Sequence, residues 1–144
     1  MPLTDDAVRE FRTHWLPKLT DPALERLITL LERDDPRLIR SRWTGASVMG
    51  CLATQAAWND ARTEDFGDRA GPAWLHHVAG IVPAHSKVVR DWDQSIEHPF
   101  DAWQVRGQLL AMLREEHGSR RVSSCPADDS ESCSTAWPMP SAIS

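Results

Sequence analysis

Apolar residues recur along residues 1–118 at helical spacing. Val8, Phe11 and Trp15 share one face of a first helix, which Pro17 ends. Thr4 stands at its N-cap, Asp5 and Asp6 favour the positive end of its dipole, and Leu3 and Val8 have the spacing of a hydrophobic staple. A second helix has Asp21 as cap and Pro22 in the first helical position, with Leu24, Leu27, Ile28 and Leu31 at i, i+3, i+4 and i+7. Asp34, Asp35 and Pro36 close it.

A short helix or turn over Arg37–Trp43 leads into the most distinctive stretch. From Trp43 to Asn59 no residue is charged, although 26% of the chain is. With Thr44, Ser47, Thr54, Gln55 and Asn59 the stretch is too short and too polar to span a bilayer, which takes about 20 apolar residues. Gly50, Cys51, Ala53, Ala56 and Ala57 carry little bulk. They predict a helix near Ala46–Trp58, buried on most of its circumference and closely approached by its neighbours, with Gly50 serving that packing.

Asn59–Gly71 is a polar loop. Pro72 opens a short helix with Trp74, Leu75, Val78 and Ala79, ended by Gly80. Pro83 opens another that turns Val88, Val89, Trp92 and Ile96 inward. Pro99 opens the last, which runs to about His117 and stops at Gly118. Its apolar residues, from Phe100 and Trp103 through Leu113, spread over more than half the circumference. Trp15, Trp74, Trp92 and Trp103 all fall on apolar stripes at core-facing positions, with an exposed contact patch as the alternative for some of the tryptophans. No segment alternates as a strand does. The expected architecture is an all-α, bundle-like domain over 1–118, with about six short to medium helices around the buried uncharged one. From Ser119 the chain turns rich in Ser and Pro without helical period, which predicts a disordered tail over 119–144. Within it, Trp137 and Met139 stand between prolines in the manner of a short binding motif.

Charge modifies this picture in one place. The net charge of −5 argues against a general nucleic-acid binder and offers nothing to an anionic membrane. Residues 1–36 carry −3 and 63–118 carry −4, but 37–62 carry +3 from Arg37, Arg40, Arg42 and Arg62 against Asp60. Arg37 and Arg40 at i, i+3 on a helix would meet a phosphate or carboxylate together, so Arg37, Arg40 and Arg42 form the candidate anion or ligand site. The competing reading pairs them with the chain's own acids, such as Asp34, Asp35 or the 64–68 loop, and the acidic surplus favours it. Trp43 and Trp58 bracket the uncharged helix and are candidate interaction residues.

Signals of chemistry are weak. His76 and His77 diverge by about 100° on a helix, so they do not share an ion, though either could join His85 or His98 across a turn. Cys51, Cys125 and Cys133 make no disulfide framework or paired metal motif. Glu64, Asp65 and Asp68 lack the alternation of a calcium loop, and Asp91 and Asp93 point to opposite faces. Nucleophile-elbow and phosphate-loop motifs are absent. No metal or cofactor is expected. The N-terminal residues show no signal-peptide pattern, which places the chain in the reducing cytoplasm. These features name no activity. The leading expectation is a non-catalytic protein-interaction or regulatory module, binding a protein partner or itself. Such a module should present an apolar patch rimmed by polar residues, or a groove beside the uncharged helix. One alternative is a helix-turn-helix over 37–58 using its arginines on phosphate. The other is an enzyme with a site built from His76, His77 and His85.

Overall fold

The computed structural model of the chain describes residues 2–40, 42–45 and 49–123. They form six α-helices in chain order: α1 Asp5–Glu10, α2 Asp21–Arg33, α3 Leu52–Trp58, α4 Ala70–Trp74, α5 Lys87–Gln94 and α6 Pro99–Ser123. Among the described residues there is no strand, only isolated bridges from Gly50 to Leu38 and to Thr44. The all-α architecture is as expected.

Local signals account for the helix starts. Thr4 caps α1, its side chain accepting from Ala7 N at 3.2 Å. The chain stays helical beyond α1, through a π turn at Phe11–Trp15 and a 3-10 turn at Leu16–Lys18 that holds Pro17. The α2 cap is Thr20 rather than Asp21: the Thr20 hydroxyl takes the Ala23 N–H at 3.1 Å, and Asp21 becomes the first helical residue. Ser86 caps α5. A second group serves the same end, for the Glu10 carboxylate accepts from Lys87 N at 2.7 Å, Ser86 Oγ at 2.6 Å and Trp15 Nε1 at 3.0 Å. One acid thereby ties α1 to the start of α5.

The uncharged stretch is where expectation and structure part most. The helix anticipated over Ala46–Trp58 begins only at Leu52, and the described residues of the helix or turn expected over Arg37–Trp43 form turn and bend. Cross-loop hydrogen bonds replace the helical ladder there. Gly50 N donates to Arg37 O at 2.9 Å, Ile39 N to Gly50 O at 3.0 Å and Cys51 N to Trp43 O at 3.0 Å. Gln55 reinforces the loop, its Nε2 donating to Arg37 O at 3.0 Å. The remaining helix is nonetheless the buried centre: Leu52 through Ala57 are all buried, Thr54 and Gln55 included. It packs against α2 and α4, and α2 packs against α6.

Small residues make the α3–α4 approach close. A Cβ on Gly71 would stand 2.4 Å from Thr54 Oγ1 and 3.1 Å from Thr54 N, and one on Gly50 would stand 2.7 Å from Thr54 Cγ2. Packing is therefore the reason for Gly50. Three buried tryptophans fill the core around this centre, with the Trp15 and Trp74 rings 5.2 Å apart. Each indole N–H has an acceptor, as a buried indole requires. Trp15 donates to Glu10, Trp74 to Asp60 Oδ2 at 3.1 Å and Trp92 to Ile39 O at 2.8 Å.

The last helix departs from expectation twice. It passes Gly118 and continues to Ser123, held by Arg120, which donates to Glu116 Oε2 at 2.7 Å, Asp21 Oδ1 at 2.9 Å and Leu16 O at 2.7 Å. The expected disordered tail lies outside the described residues from 124 onward. The second departure concerns which side of α6 faces inward, and it defines the site.

Candidate functional site

The three arginines proposed as an anion site do not converge. Arg37 closes on the acid two residues before it: its backbone N and Nε donate to Asp35 Oδ1 at 2.9 and 3.0 Å, and Nη2 to Oδ2 at 2.8 Å. Those hydrogen bonds hold the Asp35 carboxyl far below the usual carboxylate range. Arg40 points the other way. Its Nε donates to Ser95 Oγ at 2.8 Å, and its guanidinium carbon lies 3.8 Å from the centre of the Trp92 ring. Burial pushes its pKa down. Arg42 is exposed, at the rim of a hollow of about 500 Å³ whose lining includes Trp43, Cys51, Val89 and Arg90. The i, i+3 placement that would have joined Arg37 to Arg40 is missing because the segment is not helical.

The other candidates disperse as well. Trp43 and Trp58 are both half-buried against the core, and Trp58 Nε1 donates to Gly67 O at 3.0 Å. His76 and His77 are exposed, their rings edge to face at 4.7 Å, while His85 stands on a separate 3-10 turn. Among the described residues no group of three or more His, Cys, Asp or Glu could hold a metal ion. Cys51 sits at the N-cap of α3 with its thiol 3.6 Å from Thr54 Oγ1, and burial pushes that thiol up. Asp91 accepts from Thr4 N at 2.9 Å and Thr4 Oγ1 at 2.8 Å, which commits it to holding the chain's first helix. Residues 52–57, the second helix of the suggested helix-turn-helix, are buried and present no face to a groove. Cys125, Cys133, Trp137 and Met139 lie outside the described residues.

Several large apolar side chains are exposed as well. Trp103, read as core-facing from its pattern, is 61% exposed, and Phe100 beside it is 65% exposed. Their rings stack at 6.0 Å with 27° between the planes. Ile96, also expected inward, is 57% exposed just before them. The reason lies in the geometry of α6. Val105, Leu109, Met112 and Leu113 make the buried stripe against the rest of the fold. On a helix turning about 100° per residue, Phe100, Trp103, Gly107, Ala111, Gly118 and Val122 fall on the opposite side, with the exposed charges of Arg114 and Glu115 between Ala111 and Gly118. A helix with apolar residues over more than half its circumference carries no local sign of which face its own chain will cover.

Beside the aromatic pair lies a groove of about 490 Å³ lined by Pro2, Trp103, Gln104, Arg106, Gly107, Gln108, Leu110 and Ala111. Two of its polar side chains are bound into the fold. Gln108 Oε1 accepts from Leu3 N at 2.8 Å, and Arg106 Nη1 donates to Leu31 O at 2.8 Å. Much of what remains to meet a partner is hydrocarbon and aromatic ring. Gly107 and Gly118 share this face, and neither would meet any atom within 4 Å if it carried a Cβ.

The chain matches no protein-family model, no curated protein sequence and no solved structure. Among the described residues no helix is long and apolar enough to cross a membrane.

Proposed function

We propose that this chain is a non-catalytic protein-interaction module that docks through the outward face of α6, centred on Phe100 and Trp103. The stacked, exposed aromatic pair carries the reading. Two rings left more than half exposed offer on the order of 100 Å² of apolar surface each, so covering them would contribute about 2–3 kcal/mol per ring. A contiguous apolar patch rimmed by polar side chains is the usual mark of a protein contact surface. The polar candidates lend no comparable support to a catalytic role: Arg37, Asp91 and Glu10 all serve as caps and clamps of the fold. The place of action is the cytoplasm, where cysteines without a disulfide framework stay reduced.

The test is a photoreactive phenylalanine placed at residue 100, with the same probe at exposed Ala61 as control, in cells making the chain. Covalent adducts at 100 and none at 61 support the reading. Absence of adducts at 100, or an identical pattern at both positions, sinks it.

A further inference from the structure

We infer that the hollow between α5 and the loop before α3 binds a small carboxylic acid with an apolar body, its carboxylate held at Arg42. The hollow shares no residue with the groove beside α6. One wall is a side of α5 and its cap, for Ser86, Val89, Arg90 and Asp93 stand at i, i+3, i+4 and i+7. Arg42, Trp43 and Cys51 form the other wall, kept together by the bond from Cys51 N to Trp43 O at 3.0 Å.

Long-range hydrogen bonds fix the two walls against each other. Trp92 Nε1 donates to Ile39 O at 2.8 Å and Arg40 Nε to Ser95 Oγ at 2.8 Å, which staples the loop to α5 just before Arg42. Glu10 holds the start of α5 through Lys87 N at 2.7 Å. The hollow is thus preformed by the fold, and its volume of about 500 Å³ lies in the range of small-molecule sites.

Its chemistry is divided between hydrocarbon and charge. Trp43, Val89, Pro83 and Ala84 supply ring and aliphatic surface. Arg90 is already committed, its Nε donating to Asp91 Oδ1 at 3.0 Å and its Nη2 to Thr4 Oγ1 at 3.2 Å. Arg42 is not. Although the chain carries 21 acidic side chains against 16 basic ones, no described residue hydrogen-bonds or ion-pairs with Arg42. A guanidinium fork without an acceptor, at the rim of a largely apolar hollow, matches a carboxylate whose body lies inside. Asp93 on the same lining limits the charge of that ligand, because its carboxylate opposes a doubly charged phosphate more than a singly charged acid. Buried hydrocarbon supplies affinity, and Arg42 selects the charge.

The test follows the indole N–H resonances of the seven tryptophans by NMR in the full, isotope-labelled chain, with Trp43 assigned through Trp43→Phe. The probes are 2-naphthoate, its uncharged isostere 2-naphthamide, and inorganic phosphate. Naphthoate should move the Trp43 resonance and saturate near about 1 mM, the affinity expected of a ligand this small. The amide should bind about ten-fold more weakly or worse, and phosphate should leave Trp43 in place. Arg42→Gln should weaken naphthoate about ten-fold, and Ala84→Phe, which fills the hollow while keeping Arg42, should abolish the shift. The resonances of buried Trp15 and Trp74 should stay in place in both variants, which shows that the fold survives. No saturable shift at Trp43, an equal response to the amide, or binding indifferent to Arg42→Gln or to Ala84→Phe overturns the site. Phosphate moving Trp43 as strongly as naphthoate overturns the apolar half of the ligand.

Discussion

Replacing Asp60 by alanine should cost about 3 kcal/mol, most of it through a residue fourteen positions away. Asp60 is 1% exposed and accepts from Trp74 Nε1 at 3.1 Å inside the core. It also accepts from Arg62 N and Nε at 2.9 Å each and from Nη2 at 2.7 Å, which closes the turn between α3 and α4. The Arg62 side chain is 57% exposed, so the ion pair itself contributes at most about 1 kcal/mol. Stranding the buried indole N–H without an acceptor costs a further 1–3 kcal/mol or so. Asp60→Asn keeps a carbonyl toward Trp74 and should lose about half as much. The assay is urea unfolding followed by circular dichroism, in the wild type, in Trp74→Phe and in the double variants. Because Trp74→Phe removes the donor, Asp60→Ala should cost about 1–2 kcal/mol less in that background, a coupling typical of contacting groups. Equal costs in both backgrounds would refute the role assigned to the indole. The pair also sets an acid dependence. Burial raises the Asp60 pKa, but the Arg62 hydrogen bonds outweigh it and leave the carboxyl below its ordinary value. The folded chain then binds fewer protons than the unfolded one near that value. The contribution of Asp60 is therefore complete above about pH 4 and is lost as pH falls through the depressed folded pKa. Asp60→Asn should flatten that part of the stability curve.

Gly71→Ala should destabilise by about 1–3 kcal/mol in thermal melts, since its Cβ would press on Thr54 Oγ1 and the Thr54 backbone, both fixed in buried α3. A neutral result would mean that α3 and α4 separate easily. Arg40→Ala should cost about 1–3 kcal/mol in urea melts, because the guanidinium covers the Trp92 ring and donates to buried Ser95. An effect confined to anion binding, with stability intact, would restore the arginine cluster as a ligand site. Gly107→Ala should raise stability by about 0.5–1 kcal/mol in urea melts, because its Cβ would meet no atom within 4 Å and alanine is the better helix former. A loss of stability would show that this side of α6 is covered within the protomer.

The readable parts of this fold were those whose causes are local. Thr4 marks the start of α1 through a bond to Ala7 three positions on, Pro22 sits in the first turn of α2 where its missing N–H costs nothing, and Leu24, Leu27 and Leu31 mark the inward face of α2 by spacing alone, whereas the helix expected to open at Pro83 starts at Lys87 under a Ser86 cap. The helix expected from Ala46 starts late because backbone donors before Leu52 are answered by distant carbonyls, Gly50 N by Arg37 O and Cys51 N by Trp43 O. Arg40 was placed beside Arg37 for the same reason, whereas its real neighbours, Trp92 and Ser95, lie more than fifty residues away. Trp103 was put inside because α6 offers two apolar faces, and only the packing of α2 against one of them decides which is covered.

The most direct measurement is hydroxyl-radical oxidation of Trp103, with buried Trp15 as internal reference, in the dilute purified chain and in its cellular assembly. The account predicts that Trp103 oxidises as a solvent-exposed indole in the dilute chain and becomes protected in the assembled state, while Trp15 stays protected throughout. Trp103 already protected in the dilute chain would show that its own protomer covers the face, and oxidation equal in every state would show that nothing docks there.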